Sequence, residues 1–128
     1  MTAESTPILR VGDTLFVSLR GDLDDETILR LEGQITQEIA RTDARGVLID
    51  VSGLVIVDSF IARVLARVVG MIRLLGAEAV VVGIQPAVAI TLVELGVNMA
   101  QIHTALDAER GMRRLVHLRE VNQTARGS

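Results

Sequence analysis

Cysteine is absent from the 128-residue chain, and so are lysine, tyrosine and tryptophan. The first absence removes disulfides, thiolate nucleophiles and zinc–thiolate sites together. Because all 13 basic residues are arginine, a P-loop lysine and Schiff-base chemistry are excluded as well. Two phenylalanines are the whole aromatic content, and the formal net charge is −3. That leaves almost no platform for stacking bases and no basic field to attract a phosphate backbone, so nucleic acid is not an expected partner. Long apolar runs are missing too. Only Glu94 is charged between Ala79 and Leu106, but Gln85, Pro86, Asn98 and Gln101 interrupt the segment, and no run reaches the ~18 residues of a membrane span. The opening MTAESTP has neither the basic start nor the apolar stretch of a secretion signal, so a cytoplasmic protein without membrane association is expected.

What is present is aliphatic. Hydrophobic residues make up 49% of the chain and the mean hydropathy is +0.43, so the core must be built from Val, Leu, Ile and Ala. A chain of this length fits one domain that buries enough surface to stand without metal or disulfide. PILRV and TLFVSLR flank Gly12-Asp13 and predict a β-hairpin with a two-residue turn. In DLDDETILRLEGQITQEIAR, Ile28, Leu31, Ile35 and Ile39 recur at helical spacing behind an acidic first turn. GVLIDV and AEAVVVGI are short apolar runs bounded by turn residues, as expected of central strands buried on both faces. Between them Ile61, Val64, Leu65, Val68, Val69, Ile72 and Leu75 form one helical stripe, with Arg63, Arg67 and Arg73 outside it and Gly76 as the stop. Pro86 opens PAVAITLVEL, NMAQIHTA predicts a short strand, and DAERGMRRLVHLRE a polar helix from Asp107. The alternation predicts a single α/β domain over residues 1–120, a mixed β-sheet that opens with the hairpin and continues in parallel β-α-β units with packed helices. Residues 121–128 read as a polar, mobile C-terminal tail.

Asp58-Ser59 stands where a loop becomes a helix. Either side chain can cap that helix, which is worth ~1 kcal/mol and is sufficient reason for the pair. A hydroxyl at such a place also suits phosphorylation, which adds a charge of about −1.5 to −2. Against a partner's carboxylate ~6 Å away, that charge costs about 1–3 kcal/mol, enough for a binding switch. Catalysis by Ser59 is disfavoured, since His103 and His117 are the only imidazoles and no G-x-S-x-G elbow surrounds the serine. Asp22, Asp24 and Asp25 lack the glycine and closing glutamate of a calcium loop and are explained by helix-start electrostatics. VVVGIQPAVA has one glycine where a dinucleotide fingerprint needs three. No metal and no cofactor are expected. Arg63 and Arg67, one turn apart, are either a solvated helix face or a surface for an acidic partner.

Three stretches carry a family resemblance: DLDDET from Asp22 to Thr27, IDVSGLVIVDS running on into DSFIARVL from Asp58 to Leu65, and GIQPAVAITLVELG from Gly83 to Gly96. They resemble the STAS domain of bacterial anti-sigma-factor antagonists, and within it the stressosome scaffold of the RsbS type, over roughly Pro7 to Glu120. The resemblance implies a non-catalytic cytoplasmic scaffold, a homodimer within a large assembly that includes sensor-bearing STAS paralogues of the RsbR type. It implies further that a switch kinase of the RsbT type is held until it phosphorylates the serine at the position of Ser59, and that a phosphatase of the RsbX type resets that serine. Asp58, Phe60, Arg63 and Arg67 are then the expected kinase-facing residues. Serine rather than threonine at position 59, together with the length, favours the scaffold member over the paralogues. The alternative is a stand-alone antagonist that binds an anti-sigma kinase and is inactivated at Ser59.

Overall fold

The computed structural model describes residues 8–21, 23–54, 56–96 and 102–127. Pro7, Asp22, Asn98 to Gln101 and Ser128, on which parts of the sequence expectations fall, lie outside the described residues. Strands β1 (Ile8–Val11) and β2 (Thr14–Gly21) form the predicted hairpin. Gly12 holds φ 62 at the first turn position, the positive φ that a two-residue hairpin turn of the II′ kind demands there. Then α1 (Asp25–Thr42), β3 (Gly46–Leu54), α2 (Ser59–Leu74), β4 (Glu78–Val82), α3 (Pro86–Glu94), β5 (His103–Ala105) and α4 (Ala108–Gly127) follow.

The sheet order is β1-β2-β3-β4-β5, with β1 antiparallel to β2 and every other pair parallel. All three β-α-β crossovers step in the same direction, so they share one hand and lay α1, α2 and α3 on one face. The core there is aliphatic throughout: Ile28, Leu31, Ile35 and Ile39 from α1, Ile61, Val64, Val68 and Ile72 from α2, and Val88 and Leu92 from α3 meet Leu15, Val17, Val47, Ile49 and Val81. Each such side chain contributes ~1.5–3 kcal/mol by leaving water. Leu75, assigned to this stripe by its spacing, is instead 48% exposed. The helix has already ended: Gly76 at φ 91 and Ala77 donate backbone N–H groups to Arg73 and Ile72 carbonyls, which turns the chain away at Leu75.

The other face is covered by α4. Leu115 is buried against Leu48, Val80 and Val82, with Met112, Leu118 and Phe16 partly buried beside it. Gly111 lets the helix approach so closely that a Cβ there would lie 2.5 Å from a Val82 methyl and 2.8 Å from a Leu48 methyl. At its far half α4 is tied to the hairpin turn by Arg119, which donates twice to the Asp13 carboxylate at 2.5 and 3.0 Å. The helix backbone also runs to Gly127, past the boundary drawn at Glu120 from lost periodicity. Apolar periodicity reports a buried face, and a polar segment without a breaker can still propagate a helix.

Candidate functional site

Parallel strands with helical crossovers place every helix start at the same edge of the sheet, the carboxyl ends of β2 to β5. Among the described residues, three of the four helix starts are capped by aspartate. Asp24, Asp58 and Asp107 accept hydrogen bonds from the backbone N–H of Thr27, Ile61 and Arg110, at 2.7, 2.8 and 2.9 Å. Hydrogen bonds from Thr27 hold the Asp24 carboxyl below its ordinary pKa. The fourth, α3, starts on Gln85 and Pro86 without a side-chain cap bond. The Gln85 amide instead donates to the Ser52 carbonyl at 2.5 Å, joining the end of β3 to the β4–α3 loop. Gly83 makes that approach possible, since a Cβ there would fall 2.7 Å from the Ser52 Cβ. Ser52 is an exposed hydroxyl residue at this edge that the sequence did not single out.

The junction between β3 and α2 leaves a hydroxyl at the surface between two aliphatic segments. Leu54 ends the strand fully buried, and Val57 returns the loop to the core at 6% exposure. Asp58 follows in extended conformation, φ −96 and ψ 179, as the N-cap. Val57 before the cap and Ala62 at the fourth helical position, both buried in the same cluster, occupy the places of a hydrophobic staple that fixes the entry angle of the helix. Ile61 and Ala62 take the inward direction of the first turn. Ser59, the first helical residue, is left at the rim and is half-buried. Its hydroxyl makes no hydrogen bond among the described residues, because the cap bond belongs to Asp58.

The other residues expected to face a partner separate into three kinds. Phe60 is half-buried and packs on the edge of the core. Arg63 is exposed and has no ion-pair partner among the described residues. Arg67 is committed: its guanidinium donates to both oxygens of Glu32 in α1, at 2.6 and 2.8 Å. The hydrogen bond, and after burial's opposing effect the charge, of Arg67 lowers the Glu32 pKa. Phe60, Arg63, Ala66, Arg67 and Leu95 line an open groove between α2 and the end of α3.

Neither histidine approaches the serine. His103 begins β5 and pairs with Val80, which pairs with Leu48, six residues before the end of β3, a distance of ~20 Å along the strand. Burial first, and then the Arg114 guanidinium, push the His103 pKa below its usual value. His117 is exposed on α4, across the sheet. Among the described residues no three His, Asp or Glu side chains converge to hold a metal, and no helix is long and apolar enough to cross a membrane.

With this geometry in hand, the relatives are informative. Residues 6–109 match the STAS domain model. A serine-to-glutamate variant of RsbS from Moorella thermoacetica is 36% identical, with a TM-score of 0.81 over 90% of this chain and 97% of that one. A chain from a structure of the molecular architecture of the stressosome, a signal integration and transduction hub, is also 36% identical, with a TM-score of 0.75 over 88% of this chain and 97% of that one. The RsbT co-antagonist protein RsbRA of Bacillus subtilis is 29% identical over 84% of this chain but 40% of its own length. The chain spans 36–40% of the curated relatives it matches. The sheet order, the four helices and the match over most of the sequence agree, and the chain belongs to the STAS domain family, resembling within it the stressosome protein RsbS.

Proposed function

We propose that the chain is a non-catalytic stressosome scaffold whose hold on a switch kinase of the RsbT type is broken by phosphorylation of Ser59. One observation supports this reading: the first residue of α2 is a rim serine whose hydroxyl makes no hydrogen bond among the described residues, while Asp58 makes the cap bond beside it. The kinase transfers the γ-phosphoryl group of ATP to the Ser59 oxygen, leaving ADP and the hydroxyl proton. The product carries about −1.5 to −2 charge on a surface that contains Asp58, Phe60, Arg63 and the groove beyond. A carboxylate of the kinase near that surface is then repelled, while the aliphatic underside of α2 keeps the helix in place. Likeness to RsbS and to the RsbT co-antagonist proteins supports sensor-bearing STAS paralogues of the RsbR type as co-assembling partners within a large cytoplasmic particle, with a homodimer as its building unit. A phosphatase of the RsbX type restores the serine. Neither nucleic acid nor membrane has a role in this reading.

The test is kinase binding by the unmodified chain, by Ser59→Ala and by chain phosphorylated at Ser59, each checked for folding. Ser59→Ala retains the kinase without accepting phosphate, seen as no mass gain with Mg-ATP. The phosphorylated chain binds several-fold to over a hundred-fold more weakly, the range expected for about 1–3 kcal/mol. Equal binding by phosphorylated and unmodified chain overturns the switch. A monomer or dimer that forms no large particle with its paralogue points instead to a stand-alone antagonist.

A further inference from the structure

Arg63 stands four residues after Ser59 on α2, the spacing at which two side chains on a helix become neighbours with Cβ atoms about 5–6 Å apart. Helical side chains tilt toward the N-terminus, so an arginine covers the turn before its own Cα. For Arg63 that turn is the one opened by Ser59. The guanidinium is exposed and uncommitted among the described residues. Arg67, one turn further on, is the opposite case: moving it would break two charge-assisted bonds to Glu32. The two arginines look equivalent in the sequence, and the structure makes them different.

We infer that Arg63 is the intramolecular receptor of the phosphate on Ser59. The inference rests on Ser59 being the modified residue. A phosphoserine there has the exposed Asp58 carboxylate as its neighbour, and without a nearby cation the two anions repel. Arg63 supplies the cation through a planar donor fork matched to phosphate oxygens. Arg63 also lines the groove with Phe60, Ala66 and Leu95. Pairing with the phosphate therefore changes the surface twice: it adds negative charge at the rim and withdraws the groove's uncommitted positive charge. An acidic group seated in the groove loses its attraction to Arg63, while the net charge of the surface changes by the phosphate's own charge and no more.

The pair is tested on the full chain carrying phosphoserine at position 59, installed during translation so that no kinase is needed. The second ionisation of the phosphate, ordinarily near pH ~6, is followed by phosphorus NMR in the parent, R63Q and R67Q, with folding checked by circular dichroism. The R63Q phosphate titrates ~0.5 pH unit higher than the parent at low salt, because the dianion has lost its cation. The difference shrinks at about 0.5 M salt, and R67Q titrates close to the parent. Identical titration of R63Q and parent at low salt overturns the assignment, as does an R67Q shift equal to that of R63Q, which would mean that the phosphate reads only the charge of the helix. Failure of a kinase to modify Ser59 would overturn the switch and leave this result standing. Failure of the titration would remove the pair and leave the switch.

Discussion

Replacing Asp58 and Ser59 one at a time separates the residue that holds the helix from the residue left for modification. In the structure the Asp58 carboxylate accepts the Ile61 backbone N–H at 2.8 Å, while the Ser59 hydroxyl makes no hydrogen bond among the described residues. Asp58→Ala removes that acceptor and leaves one more helix-start N–H to water, at a cost of about 1 kcal/mol within a range of about 0.5–2. Ser59→Ala changes a half-buried first-turn position whose hydroxyl makes no hydrogen bond among the described residues, and a substitution of that kind stays within about 0.5 kcal/mol of neutral. The unfolding entropy of a chain this size, at ~2.1 cal/mol/K per residue, makes 1 kcal/mol worth about 4 °C. Asp58→Ala should therefore melt about 4 °C below the parent and Ser59→Ala within about 2 °C of it, by calorimetry at neutral pH. Asp58→Asn, which keeps an acceptor oxygen, should recover most of the loss. Should Ser59→Ala lose as much as Asp58→Ala, the hydroxyl is part of the cap, and its freedom for a kinase, on which the functional reading rests, is refuted.

Two further outcomes follow from the packing and from the ion pair. Gly111→Ala places a methyl within 2.8 Å of both Leu48 and Val82 and should destabilise by about 1–3 kcal/mol despite its better helix propensity. Gly33→Ala, in the exposed middle of α1 with nothing within 4 Å of the new methyl, should stabilise by roughly 0.5–1 kcal/mol, and urea titration of the two variants should show the opposite signs. The Glu32 pKa is lowered in the folded chain, mainly by the Arg67 hydrogen bond. Its contribution is therefore complete above the ordinary glutamate value of about 4.5 and is lost as pH falls through the lower folded value. Glu32→Gln should flatten the acid limb of stability against pH, and an unchanged limb would show the pair to be inert.

Most of the architecture was legible because its signals are local. The hairpin turn is written in Gly12-Asp13, the α1 face in Ile28, Leu31, Ile35 and Ile39, and the start of α3 in Pro86, each decided within a few residues. The burial of α4 was less legible. Its charges, from Glu109 and Arg110 to Arg119 and Glu120, dominate the segment, while the covered face consists of Gly111, Met112, Leu115 and Leu118. A glycine contributes no hydrophobicity to a pattern even where its missing side chain is what permits the packing. At the site, the serine could be located but its division of labour with Asp58 could not, since both residue types cap helices equally well. The pairing of Arg67 with Glu32 spans 35 residues, and that of Arg119 with Asp13 spans 106. No spacing rule reaches either, because each exists only after two elements have packed.

Assigning the cap to a carboxylate rather than to the hydroxyl also decides what a modification does to the fold. Had Ser59 made the cap bond, a phosphate would have competed with the hydrogen bond that starts α2, and signalling would have been coupled to fraying of the helix. With Asp58 in that role the bond to Ile61 survives, Val57 and Ala62 keep the staple, and the remaining cost is repulsion between two neighbouring anions. Such repulsion at a solvated rim is small enough for one exposed arginine to offset, and Arg63 is placed to do so. The modified and unmodified chains then share one backbone and differ in surface charge. A partner held by that charge can be released without any part of the sheet or its helices being rearranged.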